Sequence, residues 1–149
     1  MKQKKKKNNI VLAFGTFDII HPGHLYYLSQ SKKQGTRLVV VIARDETVVR
    51  LKGRKPIFCE NDRRTLIASL AVVDEAVLGD PIHHCRVIDR IRPDTICLGY
   101  DQNITRQHIS LQLKRMNIPV RSIVRIRSYK PRSYKSSLYK KKLSIGEGQ

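Results

Sequence analysis

The chain predicts an α/β fold, and three observations carry that reading. Short apolar runs recur at Ile10–Phe14, Leu38–Ala43, Ala76–Leu78, Thr95–Leu98 and Val120–Val124. Stretches of helical length and spacing stand between them. Leu38–Ala43 is apolar at consecutive positions, the pattern of a strand covered on both faces. Regular alternation of strand and helix builds a parallel sheet with helices on both faces. The expected architecture is therefore one Rossmann-like, doubly wound domain, and 149 residues suffice for its core.

Each element has its own reason. Residues 1–9 carry Lys2, Lys4, Lys5, Lys6 and Lys7 and read as a disordered basic tail. The domain body runs from 10 to 128, with 129–149 as its C-terminal segment and helix. Ile10–Phe14 is a buried strand that enters a tight turn. A helix follows over Gly23–Lys33, with Pro22 in the first turn, where its missing N–H costs nothing. Gly35 reads as the glycine that ends this helix. Leu38–Ala43 is the second strand, Arg44–Arg50 a short helix, and Leu51–Pro56 a basic loop. Glu60–Ala71 is helical, and Ala76–Leu78 is a short strand closed by Gly79. A helix over Ile82–Ile91 leads to the strand Thr95–Leu98, framed by Pro93 and Gly99. Thr105 or Asn103 caps a helix reaching Met116. Val120–Val124 is the last strand and Ser136–Leu143 the last helix.

Charge narrows the partners. The formal net charge is +18, and no acidic residue stands between Asp101 and Glu147. Such a chain favours polyanions: nucleotides, nucleic acid or an acidic surface. Cys59, Cys85 and Cys97 are odd in number and lack C-x-x-C spacing, against a disulfide framework or a zinc site. They read as reduced thiols of a cytoplasmic protein. No apolar run reaches membrane-spanning length, so no membrane partner is expected.

In parallel sheets of this kind ligands bind beyond the C-terminal strand ends. The segments expected there are 15–24, 44–55, 99–103 and 127–137, which are rich in His, Lys, Arg and small polar residues. The most informative is Gly15-Thr16-Phe17-Asp18-Ile19-Ile20-His21-Pro22-Gly23-His24. It places two imidazoles at a helix N-terminus, whose free N–H groups and dipole attract phosphate. Gly23 lacks a Cβ, so a triphosphate can approach the backbone closely. N–H donors aimed at the equatorial oxygens of an attacked phosphorus act mainly in the transition state. Asp18 is read as a turn former. Lys52, Arg54 and Lys55 surround Gly53 and offer cations to phosphate oxygens; Arg44, Arg63 and Arg64 stand near, the last two also readable as cover for a helix face.

The segment 15–24 resembles the signature of the nucleotidyltransferase superfamily with the H-x-G-H motif. Further segments are similar to its archaeal FAD synthase branch: Ala43–Val48, Leu51–Pro56 with Arg63-Arg64, Val73–Gly79, Pro93–Gln102, and Ser128-Tyr129-Lys130 with Ser136-Ser137. The resemblance covers residues 10–143. It implies adenylyl transfer from ATP to the phosphate of FMN, giving FAD and pyrophosphate. It implies His21, His24 and Lys52 as catalytic residues, with Lys52 or Lys55 on the acceptor phosphate or the triphosphate. It implies nucleotide contacts from Thr16, Phe17, His21, Pro22, Gly23, His24, Asp101, Tyr129 and Ser136, while Phe17 also reads as core. Ser136 or Ser137 caps the last helix, whose mouth again suits phosphate.

Mg²⁺ or another divalent ion would neutralise the triphosphate, with few or no dedicated protein ligands and no metal site among the residues named. The chain has no Trp and carries Gln102-Asn103-Ile104-Thr105 where CTP-using relatives carry a Trp-x-Gly-Lys-type segment, which favours ATP. Arg132 stands near a position where the branch carries cysteine. The partners implied are nucleotide and flavin substrates, with a possible homodimer. Two alternatives stay open: a cytidylyltransferase acting on a phosphorylated polyol such as glycerol 3-phosphate, and a non-catalytic nucleic-acid-binding protein, whose binding would weaken steeply with salt. The latter is disfavoured, because Tyr129, Tyr134 and Tyr139 are not spaced for one helical face.

Overall fold

The computed structural model describes residues 8–146. Five parallel strands form one sheet: β1 (Ile10–Gly15), β2 (Arg37–Ile42), β3 (Glu75–Leu78), β4 (Thr95–Leu98) and β5 (Ser122–Arg125). Their order is β3-β2-β1-β4-β5. The strand order reverses at β1, so the crevice between the ends of β1 and β4 is the switch point where such sheets bind ligands. The expected doubly wound fold is observed.

The helices among the described residues are α1 (Pro22–Lys32), α2 (Asp45–Lys52), α3 (Glu60–Ala68), α4 (His84–Ile91), α5 (Arg106–Arg115) and α6 (Ser136–Gly146). Strand side chains alternate between two cores. Val11, Ala13, Leu38, Val40, Ile42 and Cys97 pack with Tyr27 and Leu28 of α1 and Ile67 of α3. Leu12, Val39, Val41, Ile96 and Leu98 face Val87 and Ile88 of α4 and Ile109 and Leu113 of α5. Consecutive apolar residues are required because both faces are covered.

Several boundaries differ from the sequence reading for local reasons. The helix expected to stop at Arg50 runs on to Lys52, and Gly53, expected inside the basic loop, terminates α2: it is left-handed at φ 72°, and its N–H donates to the carbonyl of Val49. Leu51 and Lys52 are therefore helical. Gly35 is not left-handed; it is required because a Cβ there would lie 2.5 Å from the carbonyl oxygen of Asn9. The α4 helix starts at His84 because the Asp80 carboxylate takes the N–H groups of Ile82 and His83 at 2.9 and 2.7 Å and folds them into a turn. Thr105 caps α5, accepting from the His108 N–H at 3.1 Å. Of the expected basic tail, residues 1–7 lie outside the described residues, while the Asn9 carbonyl accepts from Thr36 and Arg37.

Candidate active site

The segment from β1 to α1 is built under strain. Phe17 has φ 52°, a left-handed conformation that costs a non-glycine residue on the order of 1–3 kcal/mol. Gly15 makes it feasible, since a Cβ there would sit 2.5 Å from the Phe17 ring. That ring is 2 % exposed and packs edge-on against His24 at 5.2 Å. Its side chain is thus core, and what it lends the site is the backbone turn and a wall for the histidine.

His21 caps α1. Its Nδ1 accepts from the Gly23 N–H at 3.1 Å, which fixes the neutral tautomer with the proton on Nε2. His24 lies one turn along, its ring stacked on His21 at 3.8 Å between centroids. A Cβ on Gly23 would meet the His21 ring at 2.9 Å, so the glycine admits the ring that Pro22 delivers. Burial holds His24 neutral, its pKa lowered to about 3, with the neighbouring His21 and Lys52 acting in the same direction. Burial also lowers His21, partly offset by Asp101. The Nδ1 of His24 is buried without a protein partner. The site therefore holds two neutral imidazoles in a cavity wall, and the cap leaves the Nε2–H of His21 as a donor.

Lys52, at the end of α2, reaches the Thr16 hydroxyl at 3.2 Å, so the structure joins these two expected residues. Burial and the nearby Lys140 hold its pKa below the usual lysine range, against the pull of Asp101 and Asp18. Asp18 is only 3 % exposed. It accepts from the N–H groups of Ile57 and Phe58 at 2.9 and 3.0 Å and pairs with Lys140 of α6. The expectation of a local turn former was too small: this carboxylate joins the histidine turn, the loop after α2 and the C-terminal helix.

Three further residues escaped the sequence reading or were misjudged by it. Arg63 does not cover a helix face; it is fully buried, donating to the carbonyls of Thr16 (2.6 Å), Ala43 (2.8 Å) and Phe58 (3.0 Å) and to Asp45 (2.7 Å). Arg125 donates to the carbonyls of Gly99 and Gln102 at 2.6 and 3.0 Å and to that of Ile104, shaping the loop after β4. Gln102 donates to the Phe14 carbonyl at 2.8 Å, closing that loop onto β1. Each guanidinium or carboxamide satisfies backbone oxygens that strand ends leave open.

Asp101 lines the same cavity and faces His21 and Lys52 electrostatically. Tyr129 stands at its rim, stacked between Tyr26 (4.9 Å) and Tyr134 (5.9 Å). A turn, not a helix, brings Tyr129 and Tyr134 together. Ser136 is the first residue of α6 and not its cap; its hydroxyl donates to the Ile19 carbonyl at 3.2 Å. Among the described residues, no group of three or more His, Cys, Asp or Glu side chains is placed to hold an ion, and no helix is long and apolar enough to cross a membrane.

A parallel sheet with a strained turn, paired neutral imidazoles and lysine at its switch point defines a class of nucleotide-handling proteins, and residues 12–142 match the family model described as Cytidylyltransferase-like. The chain belongs to that family. It is 45% identical over 139 residues to a protein named FAD synthase from Thermoplasma volcanium, covering 92% of this chain and 96% of the relative. It is 44% identical over 139 residues to the FAD synthase of Thermoplasma acidophilum, with the same coverage. Among solved structures, a lipopolysaccharide core biosynthesis protein from Thermoplasma volcanium aligns with TM-score 0.79 and 45% identity, over 83% of this chain and 99% of that one. A pantoate-beta-alanine ligase from Francisella tularensis, complexed with beta-gamma ATP and beta-alanine, shares the fold at TM-score 0.59 and 14% identity, over 95% and 71% of the two chains.

Proposed function

We propose that the protein transfers AMP from ATP to the terminal phosphate of FMN, releasing FAD and pyrophosphate. The observation that carries the chemistry is the His21–His24 pair, stacked, neutral and at a helix mouth. Identity of 45% to a protein named FAD synthase, over nearly the full length of both, carries the choice of acceptor.

The phosphate oxygen of FMN attacks the α-phosphorus in line, and the bond to the β-phosphate oxygen breaks as pyrophosphate leaves. The acceptor oxygen is already ionised, so no strong base is needed, and catalysis is positioning plus charge stabilisation. The Nε2–H of His21 and the imidazole of His24 donate to the equatorial oxygens as charge gathers there. Lys52, held beside Thr16, neutralises the triphosphate or the incoming phosphate. Pro22 and Gly23 present the first N–H groups of α1 to the same oxygens. Asp101 meets the ribose, Tyr129 the base, and Ser136 the phosphates through its place at the start of α6.

The cavity wall carries the carboxylates Asp18, Asp80 and Asp101, and among the described residues no three His, Cys, Asp or Glu side chains are grouped to hold an ion. A divalent ion would arrive on the nucleotide, as part of the substrate.

The full chain, incubated with ATP, Mg²⁺ and FMN, should release pyrophosphate and form FAD, read by its fluorescence. Turnover with CTP and glycerol 3-phosphate, and none with ATP and FMN, would overturn this reading.

A further inference from the structure

The cavity of 1060 Å³ extends well beyond the phosphate centre. On the β5 side its walls are aromatic and cationic, with Tyr129, Arg127 and Lys135. In another direction it runs between α4 and α5, where Cys85 and Ile88 of one helix face Ile109 and Gln112 of the other. A second hollow of 470 Å³ also has Cys85 and Gln112 in its wall, so the cleft continues between the two helices. The catalytic steps above use nothing in this cleft.

Its chemistry is specific. Ile88 and Ile109 are 3 % and 4 % exposed and form apolar walls. Gln112 is held at both ends: its Nε2 lies 3.0 Å from Nε2 of His108, and its Oε1 accepts from the Cys85 thiol at 3.6 Å. His108 stands four residues before Gln112, on the same helical face. In this orientation the amide nitrogen donates to His108 and the amide oxygen takes the thiol proton. These contacts leave the carboxamide one free N–H and one free lone pair. No carboxylate belongs to these facing side chains. A slot with apolar walls and one oriented donor–acceptor pair suits a planar, uncharged ring with a complementary polar edge.

The geometry points to this cleft as the seat of the acceptor's ring system, with Gln112 as the residue that reads its polar edge. The inference rests on the FMN reading and adds the residue that selects the flavin. The imide edge of an isoalloxazine offers an N–H beside a carbonyl; the first donates to Oε1 and the second accepts from Nε2. The same two-point logic lets carboxamides read the edges of nucleobases. The phosphate of FMN then reaches the His21–His24 centre through the ribityl arm, and ATP approaches from the β5 side.

The test uses the full chain and its Gln112→Leu variant, which keeps the side-chain bulk. Riboflavin, the ring without its phosphate, is titrated by fluorescence quenching, and KM is measured for FMN and for ATP. Losing both pairing atoms should weaken riboflavin binding and raise the FMN KM by about tenfold or more, with the ATP KM within about twofold. A merely structural role would move both substrates. A measurement on the unaltered protein stands beside it: alkylation of Cys85 by iodoacetamide, followed by mass spectrometry, should be slowed by riboflavin and not by ATP. If the enzyme makes FAD yet riboflavin binds Gln112→Leu unchanged, or fails to protect Cys85, the ring lies elsewhere and this inference alone falls. If the unaltered enzyme makes no FAD from FMN, both readings fall.

Discussion

The guanidinium of Arg63 meets the Asp45 carboxylate at 2.7 Å with the arginine side chain wholly shielded from solvent. The same group holds the carbonyls of Thr16, Ala43 and Phe58, so one side chain ties the ends of β1 and β2 to α3. Arg63→Met keeps the volume and strands four acceptors. The expected loss is about 3–5 kcal/mol of unfolding free energy, chiefly from three carbonyls left without their donor at about 1–3 kcal/mol each, since Asp45 itself reaches solvent. Urea denaturation at neutral pH measures it; a loss under about 1 kcal/mol would show the arginine to be replaceable packing.

His24→Ala should lower kcat by about 10²–10³ and change the ATP KM far less, because the donor acts on charge that appears only in the transition state. Steady-state kinetics with ATP varied at saturating FMN separates the two, and equal losses in binding and turnover would assign the imidazole to the ground state. The acid limb of kcat/KM should fall near pH 6, where a phosphate monoester takes up its second proton. Burial already keeps His24 neutral there.

Stability should fall with acid earlier than carboxylates alone would cause. The folded pKa of His24 is about 3 and its ordinary value 6.5, so the unfolded chain binds this proton first. Its contribution is complete above pH 6.5 and drains away as pH falls toward 3, with His21, also lowered, adding to it. Asp18 and Asp74 are lowered as well and act only below their ordinary value of 3.8. Between pH 6.5 and 5 the loss should be about 2 kcal/mol, and His24→Gln should flatten most of it. Denaturation curves at the two pH values would expose the idea as wrong if both proteins showed the same slope.

Two glycines should respond differently to alanine. At Gly35 a methyl group would strike the Asn9 carbonyl at 2.5 Å and the Val11 side chain at 2.6 Å, costing about 2–3 kcal/mol. At Gly53 there is open space, and only the left-handed backbone resists, at about 1 kcal/mol. Thermal melts of the two variants should rank in that order; the reverse order would mean that β1 and its neighbours shift freely.

What the sequence made legible follows from range. The strands Ile10–Gly15 and Thr95–Leu98 were readable because their burial shows in consecutive apolar letters. The His21–His24 turn was readable because its parts are adjacent. Leu51 and Lys52 looked like loop because their helix end depends on the handedness of Gly53, which a lone letter does not display. Arg63, Gln102 and Arg125 were opaque as keystones, since their partners are backbone carbonyls in segments distant along the chain. Cys85 and Gln112 are separated by 27 residues and meet only because two crossover helices lie side by side.

The pairing of Asp18 with Lys140 spans 122 positions and makes the far helix a tether for the histidine turn. Lys140 stands on α6, while Asp18 lies in the turn between β1 and α1. A variant cut ahead of α6 keeps both imidazoles but leaves the buried carboxylate with only the N–H groups of Ile57 and Phe58. Trimming that helix therefore slackens the anion pocket from a distance, without touching either ring.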